Sequence, residues 1–154
     1  MGVDRRGADP LQSDLPRRPD RHPVQLHPRH RAGLHYHNEA KLVRCTRGAI
    51  TAAVVDIRPE SLTFGDHVLL ELNADDHRAL FLPPHIAHGL QTLTANTEVD
   101  YQVSGKYPLS DEHGLRWDHP EFGFEWPLPV TVISEEDASW AAYASAPLRS
   151  IASC

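Results

Sequence analysis

From Gly33 onward the chain alternates short apolar runs with polar breaks. The runs are KLVRC (41–45), AITAAVVDI (49–57), HVLLEL (67–72), RALFL (78–82), GLQTL (89–93) and EVDYQVSG (98–105), each bounded by Gly, Pro, Asn or Asp. Runs of this length, rich in branched residues and closed by turn formers, predict β-strands. No helical period appears until EEDASWAAYA (135–144), where Ser134 is placed to cap a short helix and Asp137 to lie in its first turn. Many short strands at regular spacing predict an all-β sandwich or barrel, with jelly-roll closure as the usual way to hide sheet edges.

The first thirty residues break this pattern. They are dense in Pro, Arg, Asp and His and almost without large apolar side chains, a composition that cannot repay the entropy of ordering a compact core. The expected organisation is an irregular N-terminal arm over residues 1–30, a β domain over 31–145 and a C-terminal tail over 146–154. A chain of 154 residues suits a single core burying roughly 70% of the surface its unfolded form exposes.

Charge and cysteine usage narrow the partners. A formal net charge of −6 without a basic block disfavours nucleic acid, so an anionic ligand would have to be held by a few placed cations. Cys45 and Cys154 make no disulfide framework, and no apolar stretch has the length of a signal core or a membrane span. A reducing cytoplasm is the expected location, with no membrane partner.

The candidate chemistry centres on AGLHYHNEAKLVRC (32–45). His35 and His37 make a His-x-His pair, Gly48 follows at motif distance, and PPHIAHG adds Pro83 and His88. This frame resembles that of the cupins. Where a metal-binding cupin carries a carboxylate this chain has Lys41, whose ammonium repels a cation instead of ligating it. A metal site built from His35, His37 and His88 alone stays chemically open.

AGLHYH, EAKLVRCTRGAI, VVDIRPESLTFGDHVLLELNADDHRALFLPPHIAHG, HGLRWDHPEFGFEWPLP and VISEED, in that order, resemble the dTDP-4-dehydrorhamnose 3,5-epimerase family, from about Gly33 to Asp137. The resemblance implies a cupin-type jelly roll, usually a homodimer, needing no metal or other cofactor. It implies an isomerase acting on a dTDP-4-keto-6-deoxy sugar. The family's roles fall on His35 as base, Asp137 as the carboxylate orienting it, Tyr101 as the opposing acid and Lys41 beside the developing oxyanion. His88 matches a second active-site histidine close to the lysine, and Arg44 and Tyr107 are the further substrate contacts expected. His37 stands where the family usually has Gln and is read as a pocket-lining contact.

Each assignment competes with a plainer role. Tyr101 shares strand parity with Val99 and Val103 and suits a core tyrosine. Asp137 suits a first-turn acid, Lys41 a snorkelling side chain, and His35 a structural histidine. The chain also departs from the family: Ala32 replaces an arginine, Ala52 an aspartate, Gln102 and Glu136 two lysines, and only DRRG (4–7), with Arg5 or Arg6, suggests the family's N-terminal arm. These losses keep two other readings open, a non-catalytic sugar-nucleotide-binding protein and a metal-dependent cupin enzyme.

Overall fold

A computed structural model of the chain describes residues 20–26, 30–105, 113–129 and 131–140. In chain order the strands are β1 (Asp20–Leu26), β2 (His30–Tyr36), β3 (Lys41–Arg47), β4 (Ala49–Asp56), β5 (His67–Asn73), β6 (Leu80–Leu82), β7 (Ile86–Thr92), β8 (Thr97–Val103), β9 (His113–Leu115) and β10 (Val132–Ile133). One helix, α1 (Glu135–Ser139), follows. Each apolar run of the sequence contributes a strand, because period-2 alternation buries one side of the pleat.

The strands form two sheets. One has the order β1-β8-β3-β6, and the other runs β10-β2-β7-β4-β5 with β9 also paired to β2. Pairing is antiparallel throughout except for the short β10 against β2. This is the expected jelly-roll arrangement. Between the sheets Val43, Cys45, Leu82 and Val99 meet Ile50, Leu72, Ile86 and Leu90.

A second apolar cluster covers the other face of the larger sheet. Leu34, Ala53, Val55, Ile57 and Ala87 pack there under Leu115 and Phe122. β4 is therefore covered on both sides, which explains why AITAAVVD reads as an unbroken run of small and branched residues instead of alternating with polar ones. Gln91, fully buried, pins the covering segment: its amide donates to the Leu128 carbonyl at 2.8 Å and accepts from the Leu128 N–H at 3.1 Å.

The loop after β4 is closed on Asp56. Its carboxylate accepts from Arg58 Nε at 2.9 Å and Nη2 at 2.6 Å, and from the hydroxyls of Ser61 and Thr63 at 2.7 Å each. The Arg58 guanidinium, helped by the hydroxyls and opposed by burial, holds this carboxyl well below the usual carboxylate range.

Part of the expected N-terminal arm is a strand. β1 pairs with β8 along its whole length, Pro23 lying opposite Asp100. DRHPVQL carries only two apolar residues, so composition hid it, yet an outer position tolerates proline and the strand covers what would otherwise be an open edge of β8. α1 is capped as expected, Ser134 Oγ accepting from the Asp137 N–H at 3.0 Å, but ends at Ser139 with Trp140 as its C-cap. The C-terminal tail, 146–154, lies outside the described residues, as do Arg5, Arg6 and Tyr107.

Candidate active site

The site starts from an irregularity in β2. Ala32 pairs with Leu90, but the register then shifts so that His35, not Leu34, faces His88. A bulge re-aims the residues after it. Leu34 goes into the outer cluster, whereas His35 joins the interior face that His88 shares with Ile86 and Leu90.

His35 Nε2 hydrogen-bonds the Asp137 carboxylate, with the side chains 20% and 6% exposed. The helix turn comes close enough because residue 33 is glycine: a Cβ there would stand 2.9 Å from Asp137 Oδ1 and 3.1 Å from its Cβ. Burial by itself would raise the Asp137 carboxyl, but the bonds from His35 and the Gly33 backbone outweigh it and hold the pKa at about 2. An ionised carboxylate only accepts, so His35 donates Nε2–H and keeps its basic lone pair on Nδ1.

Lys41 opens β3 on the same face as Val43 and Cys45, between its register partners Leu82 and Val103, and is 9% exposed. Opposite, burial and then the positive charge of Lys41, followed by His35 and His37, depress His88 to about 3. His88 is thus a neutral imidazole across the physiological range, and Lys41, His35, His37 and His88 share one electrostatic neighbourhood. His37 is buried just after β2, its carbonyl accepting from the His85 N–H at 2.9 Å.

Tyr101 lies on β8 opposite Val43, and its ring packs on the inter-sheet cluster. Burial pushes its phenol well above the ordinary value, so it keeps its proton until a strong base appears. Beside His88 and Lys41 their register partners Val54 and Leu82 line an open cavity of about 300 Å³, with Asp56, Arg58, Leu80 and Ile86.

Arg44 is not brought to this group. It is exposed on the opposite face of β3, Nη2 lying 3.2 Å from His77 Nδ1. Strand parity is the reason, since positions 41, 43 and 45 face inward and 44 cannot. Among the described residues no three His, Cys, Asp or Glu side chains gather as a metal-ligand set.

Sequence reasoning missed Gly33, Gly114 and Trp140 as parts of this site. Trp140 is three residues beyond Asp137, a spacing that puts two side chains on one side of a helical turn. The glycines carry no signal until the helix is seen against them.

The chain matches the family model of dTDP-4-dehydrorhamnose 3,5-epimerase over residues 22–145. It is 43% identical over 112 residues to a dTDP-4-dehydrorhamnose 3,5-epimerase of Sinorhizobium fredii, a match covering 70% of this chain and 57% of that one. Among solved structures it resembles dTDP-4-dehydrorhamnose 3,5-epimerase from Elizabethkingia anophelis, with a TM-score of 0.77, 25% identity and coverage of 82% of this chain and 72% of that one. It also resembles dTDP-6-deoxy-D-glucose-3,5-epimerase RmlC from Legionella pneumophila in complex with dTDP-4-keto-L-rhamnose, with a TM-score of 0.75, 28% identity and coverage of 86% and 72%. The match spans less than two thirds of the length of the first curated relatives.

Proposed function

The chain belongs to the dTDP-4-dehydrorhamnose 3,5-epimerase family, and from that premise we propose that it epimerises a dTDP-linked 4-keto-6-deoxy sugar at C3, C5 or both. The observation that carries the reading is the hydrogen bond between His35 and the ionised Asp137. A histidine held in one tautomer by a carboxylate suits removal of a proton next to a ketone, and a positioned base of this kind contributes ~10²–10⁴ in rate.

In this reading His35 Nδ1 takes the proton from the carbon beside the C4 ketone. The electron pair moves to the ketone oxygen, and Lys41 stabilises the enolate, a contribution of ~3–4 kcal/mol for a preorganised donor. Tyr101 returns a proton from the other face, inverting the centre. Asp137 stabilises the imidazolium between the steps. His88, neutral beside Lys41, orients the lysine or the ketone oxygen without adding charge, and His37 lines the pocket.

The family membership also supports a homodimer, which light scattering during size-exclusion chromatography tests. No helix among the described residues is long and apolar enough to cross a membrane, and Cys45 is a buried free thiol, which fits the cytoplasmic location inferred from composition.

A non-catalytic sugar-nucleotide binder is the competing reading. It is favoured by Ala52, buried in register between Leu70 and Leu90 in place of the family's aspartate. Incubation with dTDP-4-keto-6-deoxyglucose in D₂O separates the two. Epimerisation puts deuterium at C3 or C5, whereas folded protein whose melting temperature rises with ligand and which gives no deuterium is a binder.

A further inference from the structure

The C-cap of α1, Trp140, brings a second side chain to His35. The indole of Trp140 meets the imidazole edge to face, ring centroids 6.1 Å apart and planes at 73°. It lies flat on Gly114, where a Cβ would fall 2.1 Å from Cε2 and 2.3 Å from Cδ2 and Nε1. Gly114 is the register partner of His35 on β9. Two glycines on adjacent strands therefore clear space for two side chains of one helical segment, Asp137 over Gly33 and Trp140 over Gly114.

Indole N–H groups normally find an acceptor when buried. Trp140 Nε1 is buried and has no hydrogen-bond partner among the described residues. Its position is therefore set by shape against Gly114 and His35, not by a polar anchor of its own.

We propose that Trp140 is a positioning residue for His35, closing the His35–Asp137 hydrogen bond against water and holding the imidazole plane. The catalytic consequence rests on His35 being the base, as proposed above, whereas the shielding itself does not depend on any substrate. Water entering beside Asp137 would compete for the Nε2–H and loosen the ring. A base misplaced by about 1 Å loses rate on the order of 10²-fold. Of the titratable and charged groups around the imidazole, Asp137 bonds it directly, and Lys41, His37 and His88 share its electrostatic neighbourhood.

The test uses the full chain with Trp140→Phe, Trp140→Ala and Gly114→Ala. In ¹⁵N-labelled protein without ligand, the His35 Nε2–H proton is expected to exchange slowly with water in wild type and Trp140→Phe, and at least ~10-fold faster in Trp140→Ala and Gly114→Ala. With dTDP-4-keto-6-deoxyglucose, kcat should fall ~10–100-fold in Trp140→Ala with KM within about twofold, and Trp140→Phe should restore most of it. Unchanged proton exchange in both alanine variants overturns the proposal, as does a loss that appears only in KM. Should Trp140→Ala not fold, Gly114→Ala against Trp140→Phe decides the matter. Wild type that gives no deuterium incorporation defeats the epimerase reading, while the proton-exchange measurement still decides the role of Trp140.

Discussion

His35 and Asp137, 102 positions apart in sequence, share a hydrogen bond between imidazole Nε2 and carboxylate, and the approach exists because the residue beneath the carboxylate has no side chain. Position 33 is as much a part of that pair as the two side chains, since a Cβ there would press on the carboxylate itself.

Asp137→Asn is expected to keep the fold and disable the proposed base, His35. The amide accepts as well as donates, so the tautomer is no longer enforced, and kcat should fall ~10²–10⁴-fold with KM nearly unchanged. Steady-state kinetics on the keto sugar check this.

The same residue gives a pH dependence. Its folded pKa of about 2 lies below the ordinary 3.8, so it contributes stability above the unfolded value. That contribution, on the order of 2 kcal/mol, is lost as pH falls from about 4 through about 2. Urea melts at pH 6 and pH 2.5 should show Asp137→Asn losing less stability on acidification than wild type.

Lys41→Met should reduce kcat ~10²–10³-fold by removing the cation proposed to stabilise the enolate. It should also raise the pKa of His88, because the Lys41 charge is the second-largest cause of its depression, while burial, the largest, still holds it below 6.5. An NMR titration of the histidine ring protons reads the shift without substrate.

Tyr101→Phe separates the two halves of the reaction. The ring continues to fill the inter-sheet cluster, so melting should change little, but the proposed proton donor of the second step is gone. Solvent deuterium is expected to enter with retained configuration while inverted product falls ~10²-fold or more, as followed by NMR of the sugar ring.

Asp56→Ala should loosen the loop between β4 and β5 without touching the base. It strands Arg58, Ser61 and Thr63 together, and loss of several charge-assisted bonds costs about 2–3 kcal/mol. Chemical denaturation should show the drop, and hydrogen exchange should place it in residues 57–66.

The strands were legible because apolar alternation is a local property. The inward row of Lys41, Val43 and Cys45 follows from parity once β3 is recognised, and the same parity, applied to Arg44, already turns it outward. β1 was not legible, since DRHPVQL has few apolar residues and its pairing with β8 is a long-range backbone ladder that no local pattern announces. The site was legible only by family resemblance. Nothing in the spacing of Asp137 ties it to His35, and Asp137 read alone is equally a first-turn acid, a position it also occupies.

The sequence by itself determined where β3 to β8 run, which of their residues share a face and where α1 is capped, all of which depend on neighbours a few residues apart. The tertiary structure decided that a bulge turns His35 inward, that Gly33 and Gly114 admit Asp137 and Trp140, and that His88 is neutral beside Lys41. Those outcomes depend on desolvation, close approach and charge between segments far apart in the chain, and such energies have no value until the sheets and the helix are packed together.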